Sequence, residues 1–137
     1  MADDCVFCKI VAGEIPAKVV CEDERTLAFM DISPATRGHV LVIPKNHAAD
    51  LWEIEPDELA AVARTAQRLA VQVRDQLDAD GVNLINACGP EAWQTVFHFH
   101  IHVIPRYAGD PLRLPWTPAA GDPEQIEAAY RSLTGAE

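Results

Sequence analysis

The chain has 137 residues, 49% of them hydrophobic and 23% charged, with a formal net charge of −10 at pH 7. That is room for one domain with a real core, and the acidity argues against non-specific binding to nucleic acid or to an anionic membrane surface. No apolar run reaches the length of a membrane span, and the acidic start Met1-Ala2-Asp3-Asp4 is unlike a secretory leader, so a cytoplasmic protein is expected. The four cysteines, Cys5, Cys8, Cys21 and Cys88, are unevenly spaced and read as reduced thiols rather than a disulfide framework. Cys21 and Cys88 are expected to be small packing residues.

In chain order, residues 5–11 read as a short helical turn ended by Gly13 and Pro16. Its Cys5-x-x-Cys8 has the spacing of half a zinc site; a redox pair is the alternative, though the βαβ setting of such pairs is missing. Residues 18–21 and 26–30 read as strands around an acidic turn, and 31–38 as a turn-rich connection. A third strand follows over 39–44, with His39 at its entrance and His47 in the polar loop beyond. Residues 56–77 form the one long helix: Leu59, Val62, Ala66, Leu69, Val73 and Leu77 recur at helical spacing, and Pro56 suits the first turn. A short strand over 82–86 and a loop through Trp93 then deliver the chain into its most distinctive stretch.

That stretch is 96–104, an apolar run that places histidines at 98, 100 and 102. Alternation along a strand puts the three imidazoles on one face, roughly 7 Å apart, with Phe97, Phe99, Ile101 and Val103 on the other as core. Pro105 is expected to stop the strand. A solvated histidine face, a metal site and a nucleophilic centre are all compatible with this row, and the strand alone does not separate the last two. Beyond Arg106 a Pro-rich segment is expected to be irregular. A short helix from Asp122-Pro123, with Gln125 placed for a capping box, should bury Ile126, Ala129, Tyr130 and Leu133. The whole is an α+β pattern in one domain, 1–137: an antiparallel sheet, one long helix and short flanking helices.

The run His98-Phe99-His100-Ile101-His102-Val103-Ile104 resembles the signature of the histidine triad (HIT) superfamily. The similarity extends through Phe7-Cys8-Lys9-Ile10, Asp31-Ile32-Ser33-Pro34, Gly38-His39-Val40-Leu41-Val42-Ile43-Pro44, His47 and Gln94-Thr95-Val96. It covers 5–106 and is strongest to the nucleotide-binding (Hint-like) branch, in its zinc-bearing bacterial form; 107–137 is left as a Pro-rich tail with a short helix. The resemblance implies a homodimer whose sheet continues across the interface. It implies a hydrolase or transferase that cleaves a purine nucleoside phosphoramidate, or a related nucleotidyl substrate, at the α-phosphorus. A dinucleoside polyphosphate hydrolase like the fragile-histidine-triad branch is the alternative, and a nucleotide-binding regulatory protein with incidental turnover a third.

Carried over by position, the resemblance makes His100 the nucleophile, with His102, His39 and Thr95 completing the catalytic set. Asp31 matches the acceptor for the ribose hydroxyls; Phe7, Ile10, Phe29 and Ile32 match the walls around the base, and Gln94 a phosphate contact. Cys5, Cys8, His47 and His98 match the ligands of one structural zinc per chain. Two positions depart from the family. Trp93 stands where a glycine is usual, and the family's asparagine falls near Ala87, so Asn86 matches it one place early.

Overall fold

The computed structural model describes residues 4–135; Met1-Ala2-Asp3, most of the acidic start, lie outside it, as do 136–137. A short helix α1 (Val6–Val11) precedes strands β1 (Val19–Glu22), β2 (Thr26–Met30) and β3 (Val40–Pro44). Then come the long helix α2 (Pro56–Leu77), strands β4 (Gly81–Ile85) and β5 (Ile101–Arg106), and α3 (Pro123–Thr134). The five strands form one antiparallel sheet in the order β1-β2-β3-β5-β4.

β2 and β3 are buried on both faces, as their uninterrupted apolar sequences require. One face packs Ala28, Val40, Val42 and Val103 under Val62, Ala66 and Leu69 of α2. The other packs Leu27, Phe29, Leu41 and Ile43 against Phe7 of α1. The β1–β2 turn is organised by Asp23, whose Oδ1 accepts from the backbone N–H groups of Arg25 and Thr26 and from the Thr26 hydroxyl. That hydroxyl also meets the Thr65 hydroxyl at 2.9 Å, so the buried polar pair joining sheet to α2 is satisfied from both sides. Cys21 packs at the edge of the α2-side core.

The histidine segment departs from the expected continuous strand. β5 begins only at Ile101, because 96–100 runs past the end of the β3 ladder, whose last pair is Val42 with Ile101. The Phe99 N–H instead donates to the Ala48 carbonyl at 2.7 Å. Alternation survives without the strand, since Phe99 packs into the α2-side core while His98 and His100 both meet Phe7 of α1, but Phe97 is exposed rather than core. Pro105 does not stop β5 either. Arg106 faces β4, its carbonyl accepting from Asp80 N–H, so the backbone of Pro105 faces the other way, past the end of β3. No ladder donor is needed there, and the Pro105 carbonyl is taken by the Thr36 hydroxyl.

The carboxy-terminal helix forms where expected, but the rest of that expectation fails. Asp122 caps it by accepting from Glu124 N–H at 3.0 Å, with no reciprocal bond from Gln125. No residue of α3 is buried: Ile126, Tyr130 and Leu133 stay 60%, 58% and 88% exposed, and Ala129 is exposed as well. α2 covers one face of β2 and β3 and α1 the other, and α3 contributes to neither core. Among the described residues, no helix is long and apolar enough to cross a membrane.

Candidate active site and metal centre

Cys5 is the N-cap of α1, and its thiol accepts from Cys8 N–H at 3.3 Å, which turns both sulfurs to one side of the helix start. His47, in the loop after β3, and His98 close on them. His98 Nδ1 lies 3.3 Å from Cys5 Sγ, 3.5 Å from Cys8 Sγ and 3.3 Å from His47 Nδ1, with Cys8 Sγ to His47 Nδ1 at 3.3 Å. A tetrahedral zinc with bonds of about 2.3 Å to sulfur and about 2.0 Å to nitrogen sets its nitrogen–nitrogen and sulfur–nitrogen pairs about 3.3–3.5 Å apart, so these four side chains already stand near the vertices of a zinc site. The tautomer fits as well. His98 Nε2–H donates to the Pro44 carbonyl at 2.8 Å, which leaves Nδ1 with its lone pair toward the cluster. Complete burial, ahead of any charged neighbour, holds this ring's pKa down to about 4, so it is neutral and competent as a ligand.

Two residues on, His100 is set up in the opposite sense. Its Nδ1–H donates to the His98 carbonyl at 2.8 Å, which leaves Nε2 unprotonated. Burial lowers its pKa, so the free base persists at neutral pH. Asn86 steadies this turn by donating Nδ2–H to the His100 carbonyl at 2.9 Å, while the Asn86 Oδ1 is buried with no hydrogen-bond partner among the described residues.

His102 completes a directed chain of bonds. Ala35 N–H donates to His39 Nδ1 at 2.9 Å, so the His39 proton sits on Nε2. From there it points to His102 Nδ1 at 2.9 Å, with Asp31 Oδ2 at 3.5 Å alongside. His102 therefore carries its own proton on Nε2, as a donor for an anion. Asp31, His39 and His102 converge closely enough to suggest a second metal site, but a ring that accepts on Nδ1 and donates from Nε2 has no lone pair left to coordinate. Burial lowers the pKa of His39 and, with the adjacent His100 and His39 rings, that of His102 to about 4. An unfolded chain protonates near 6.5, so acidification through that window favours unfolding.

His100 and His102 face a cavity of about 460 Å³, walled by Phe7, Ile10, Phe29, Ile32 and Asp31, with Thr95 and Val96 at its edge. Phe7 stands edge-on to Phe29, His98 and His100 at centroid distances of 5.3, 5.9 and 5.2 Å, so one ring touches the Cys/His cluster and the cavity alike. Ile32 is 97% exposed at the mouth. Gln94 is not brought to this cavity. It is buried, its Oε1 accepting from Gly89 N–H and its Nε2 donating to the carbonyls of Ala49 and Val96, so the amide ties the loop together. Asn86 likewise acts on backbone rather than facing the cavity. Sequence reasoning left unassigned the backbone carbonyls of Pro44 and His98 and the amide of Ala35, which set the tautomers; no side-chain pattern encodes them. Trp93 sits at φ 78°, the left-handed region, which explains why a glycine is usual there and costs an L-residue about 1 kcal/mol.

The network makes a direct prediction. At pH 7, ¹⁵N spectra of the metal-loaded protein should show His100 as the Nδ1–H tautomer and His39 and His102 as Nε2–H, with His102 still neutral at pH 5. A His100 proton on Nε2 would contradict the assignment.

Residues 12–109 match the HIT domain. The chain is 43% identical over 135 residues to Protein hit of Bacillus subtilis, covering 96% of this chain and 93% of that one. The structure of a Zn-bound histidine triad family protein from Mycobacterium smegmatis superposes with a TM-score of 0.78 at 45% identity, covering 98% of each chain. That of a histidine triad nucleotide-binding protein from Candida albicans gives 0.83 at 32% identity, covering 96% of each. With the triad, the fold and the Cys/His cluster all in place, the chain belongs to the histidine triad family.

Proposed function

We propose that this protein hydrolyses a nucleoside phosphoramidate, or a closely related nucleotidyl substrate, at the α-phosphorus. The observation that carries the reading is the His100 ring, held by the His98 carbonyl with Nε2 unprotonated beside a cavity that fits a nucleoside. Nε2 attacks phosphorus, and the bond from phosphorus to the leaving amine breaks as that amine takes up a proton, for which the Thr95 hydroxyl is the nearby donor. Water then attacks the nucleotidyl-histidine, giving its proton back to the Thr95 oxygen and breaking the P–N bond to His100, and a nucleoside monophosphate is released. His102 Nε2–H, backed by His39, meets the charge that develops on the non-bridging oxygens. Asp31 receives the ribose hydroxyls, and Phe7, Ile10, Phe29 and Ile32 enclose a purine. In this reading Gln94 and Asn86 shape the loop and the backbone of His100 rather than touch the nucleotide.

Cys5, Cys8, His47 and His98 would hold one zinc per chain in a closed set of four protein ligands, which suits a structural role. Held in this way, Cys5 and Cys8 would fix the start of α1 and so the position of Phe7. The protein works as a homodimer: β4 forms one edge of the sheet and carries no charged residue in Gly81–Ile85, the kind of edge that pairs.

Three expectations test this. His100→Ala should abolish turnover of adenosine phosphoramidate while leaving AMP affinity, by calorimetry, within a few-fold; retention of more than a tenth of the rate would sink the assignment. Metal analysis should find about one zinc per chain, and Cys8→Ser should lose it and lower the Tm; a metal-free preparation made without chelators would count against the site. The cavity wall carries no lysine or arginine to hold a polyphosphate. Accordingly, kcat/KM for adenosine phosphoramidate should exceed that for diadenosine tri- or tetraphosphate by at least about tenfold, and equal or reversed constants would favour the dinucleoside polyphosphate reading.

A further inference from the structure

The two sulfurs of the Cys/His cluster differ in access. Cys5 is buried, whereas Cys8 is half-buried and lines a hollow of about 340 Å³ with Val11, Ala12, Lys45, Asn46 and His47. Lys45 is already paired with Glu22 at 2.7 Å, so the hollow is no anion site, but a small neutral molecule can enter it. The sulfurs lie within 4.8 Å of each other, three residues apart at a helix start, a spacing at which dithiols close to disulfides. The same helix also faces the other way. Val6, Phe7 and Ile10 line the cavity that holds His100, and the Phe7 ring stands edge-on to His98 and His100. A helix of six residues does not hold its shape alone, so whatever clamps its start also sets that wall.

We infer that Cys5 and Cys8 are a peroxide-sensitive thiol pair, whose oxidation to a disulfide frees the metal and slackens the α1 wall of the cavity beside His100. The inference rests on the zinc and nucleotide readings proposed above, and adds that the two sites answer to each other. As zinc ligands both sulfurs are thiolates, the form that hydrogen peroxide oxidises. The Cys8 thiolate, the one that the hollow reaches, attacks one peroxide oxygen. The O–O bond breaks, the departing hydroxide takes a proton to become water, and Cys8 is left as a sulfenic acid. Cys5 Sγ then attacks the Cys8 sulfur: the S–S bond forms, the S–O bond breaks, and the second hydroxide also leaves as water. The two sulfurs have together given two electrons to the peroxide. His47 and His98 alone are half a tetrahedral set, too few to retain the ion. With it go the ties from α1 to His47 and His98, and Phe7 loses its fixed place against His100. By linkage, a ligand in the cavity that favours the ordered α1 tightens the metal in return.

The full-length, zinc-loaded protein tests this without any substitution. Hydrogen peroxide should release about one zinc per chain to a chromogenic chelator. The tryptic peptide that ends at Lys9 holds Cys5 and Cys8 without Cys21 or Cys88, and after oxidation it should be lighter by two hydrogens. By calorimetry, the Kd of AMP should rise at least about fivefold in the oxidised protein. Dithiothreitol with added zinc should restore both the metal and the affinity. In the reduced protein, saturating AMP should tighten zinc against a competing chelator at least about fivefold. Zinc released with no disulfide in that peptide, or a loss that dithiothreitol does not reverse, overturns the thiol switch. A disulfide that leaves AMP affinity unchanged, or zinc affinity indifferent to AMP, overturns the coupling through α1. Protein purified without zinc, or zinc-loaded protein that fails to bind AMP, fails the underlying reading and this inference with it, and either is seen before peroxide is added.

Discussion

The hydrogen bond from His98 Nε2–H to the Pro44 carbonyl is the contact on which the two halves of the site depend. It commits the one fully buried imidazole of the triad to a single tautomer and turns its lone pair toward Cys5, Cys8 and His47. The carbonyl of the same residue then takes the Nδ1 proton of His100. One residue thus turns a nitrogen lone pair toward the Cys/His cluster and, through its backbone, leaves a nitrogen of a second imidazole unprotonated at the cavity. The end of β3 supplies the anchor, so the chemistry is registered to the most buried strand in the sheet.

The other rings are fixed by backbone groups in the same way, without a charged group in the interior of the triad. Each ring receives or gives one proton to a neighbour whose own orientation is fixed: Ala35 to His39, His39 to His102, His100 to the backbone. Burial disfavours the imidazolium form at all three, so neutral rings are the ground state. In the proposed reaction, the positive character offered to an anionic phosphate is that of oriented N–H dipoles, which need no reorganisation as charge moves. Asp31, at the end of this chain, is held by Ser33 N–H at 2.8 Å as well as lying near His39.

Much of this was legible in the sequence, and the reasons are physical. The α2 boundaries follow from Pro56 and a long apolar stripe, and the Cys5, Cys8, His47 and His98 set resembles a known pattern that the geometry brings together. The alternation of His98, His100 and His102 was legible, but the end of the strand was not, because it depends on where β3 stops and on a backbone bond from Phe99 to Ala48. Pro105 misled for the same reason: whether a proline breaks a strand depends on which neighbour its missing donor would face. α3 misled differently. Its amphipathic spacing correctly announces an apolar face, but periodicity does not say whether the chain buries that face.

The loop tied by Gln94 has a consequence for how the site meets its ligand. Segments that approach phosphates are commonly mobile and order on binding, yet here one buried amide spans Gly89, Ala49 and Val96, and Phe99 is bonded to Ala48. The loss of backbone freedom in 89–99 is therefore incurred when the chain folds, not when a nucleotide arrives. Encounter with a rigid, preformed cavity needs no closing step, and amide protons such as those of Gly89 and Phe99 would exchange with solvent only as fast as the surrounding core itself opens.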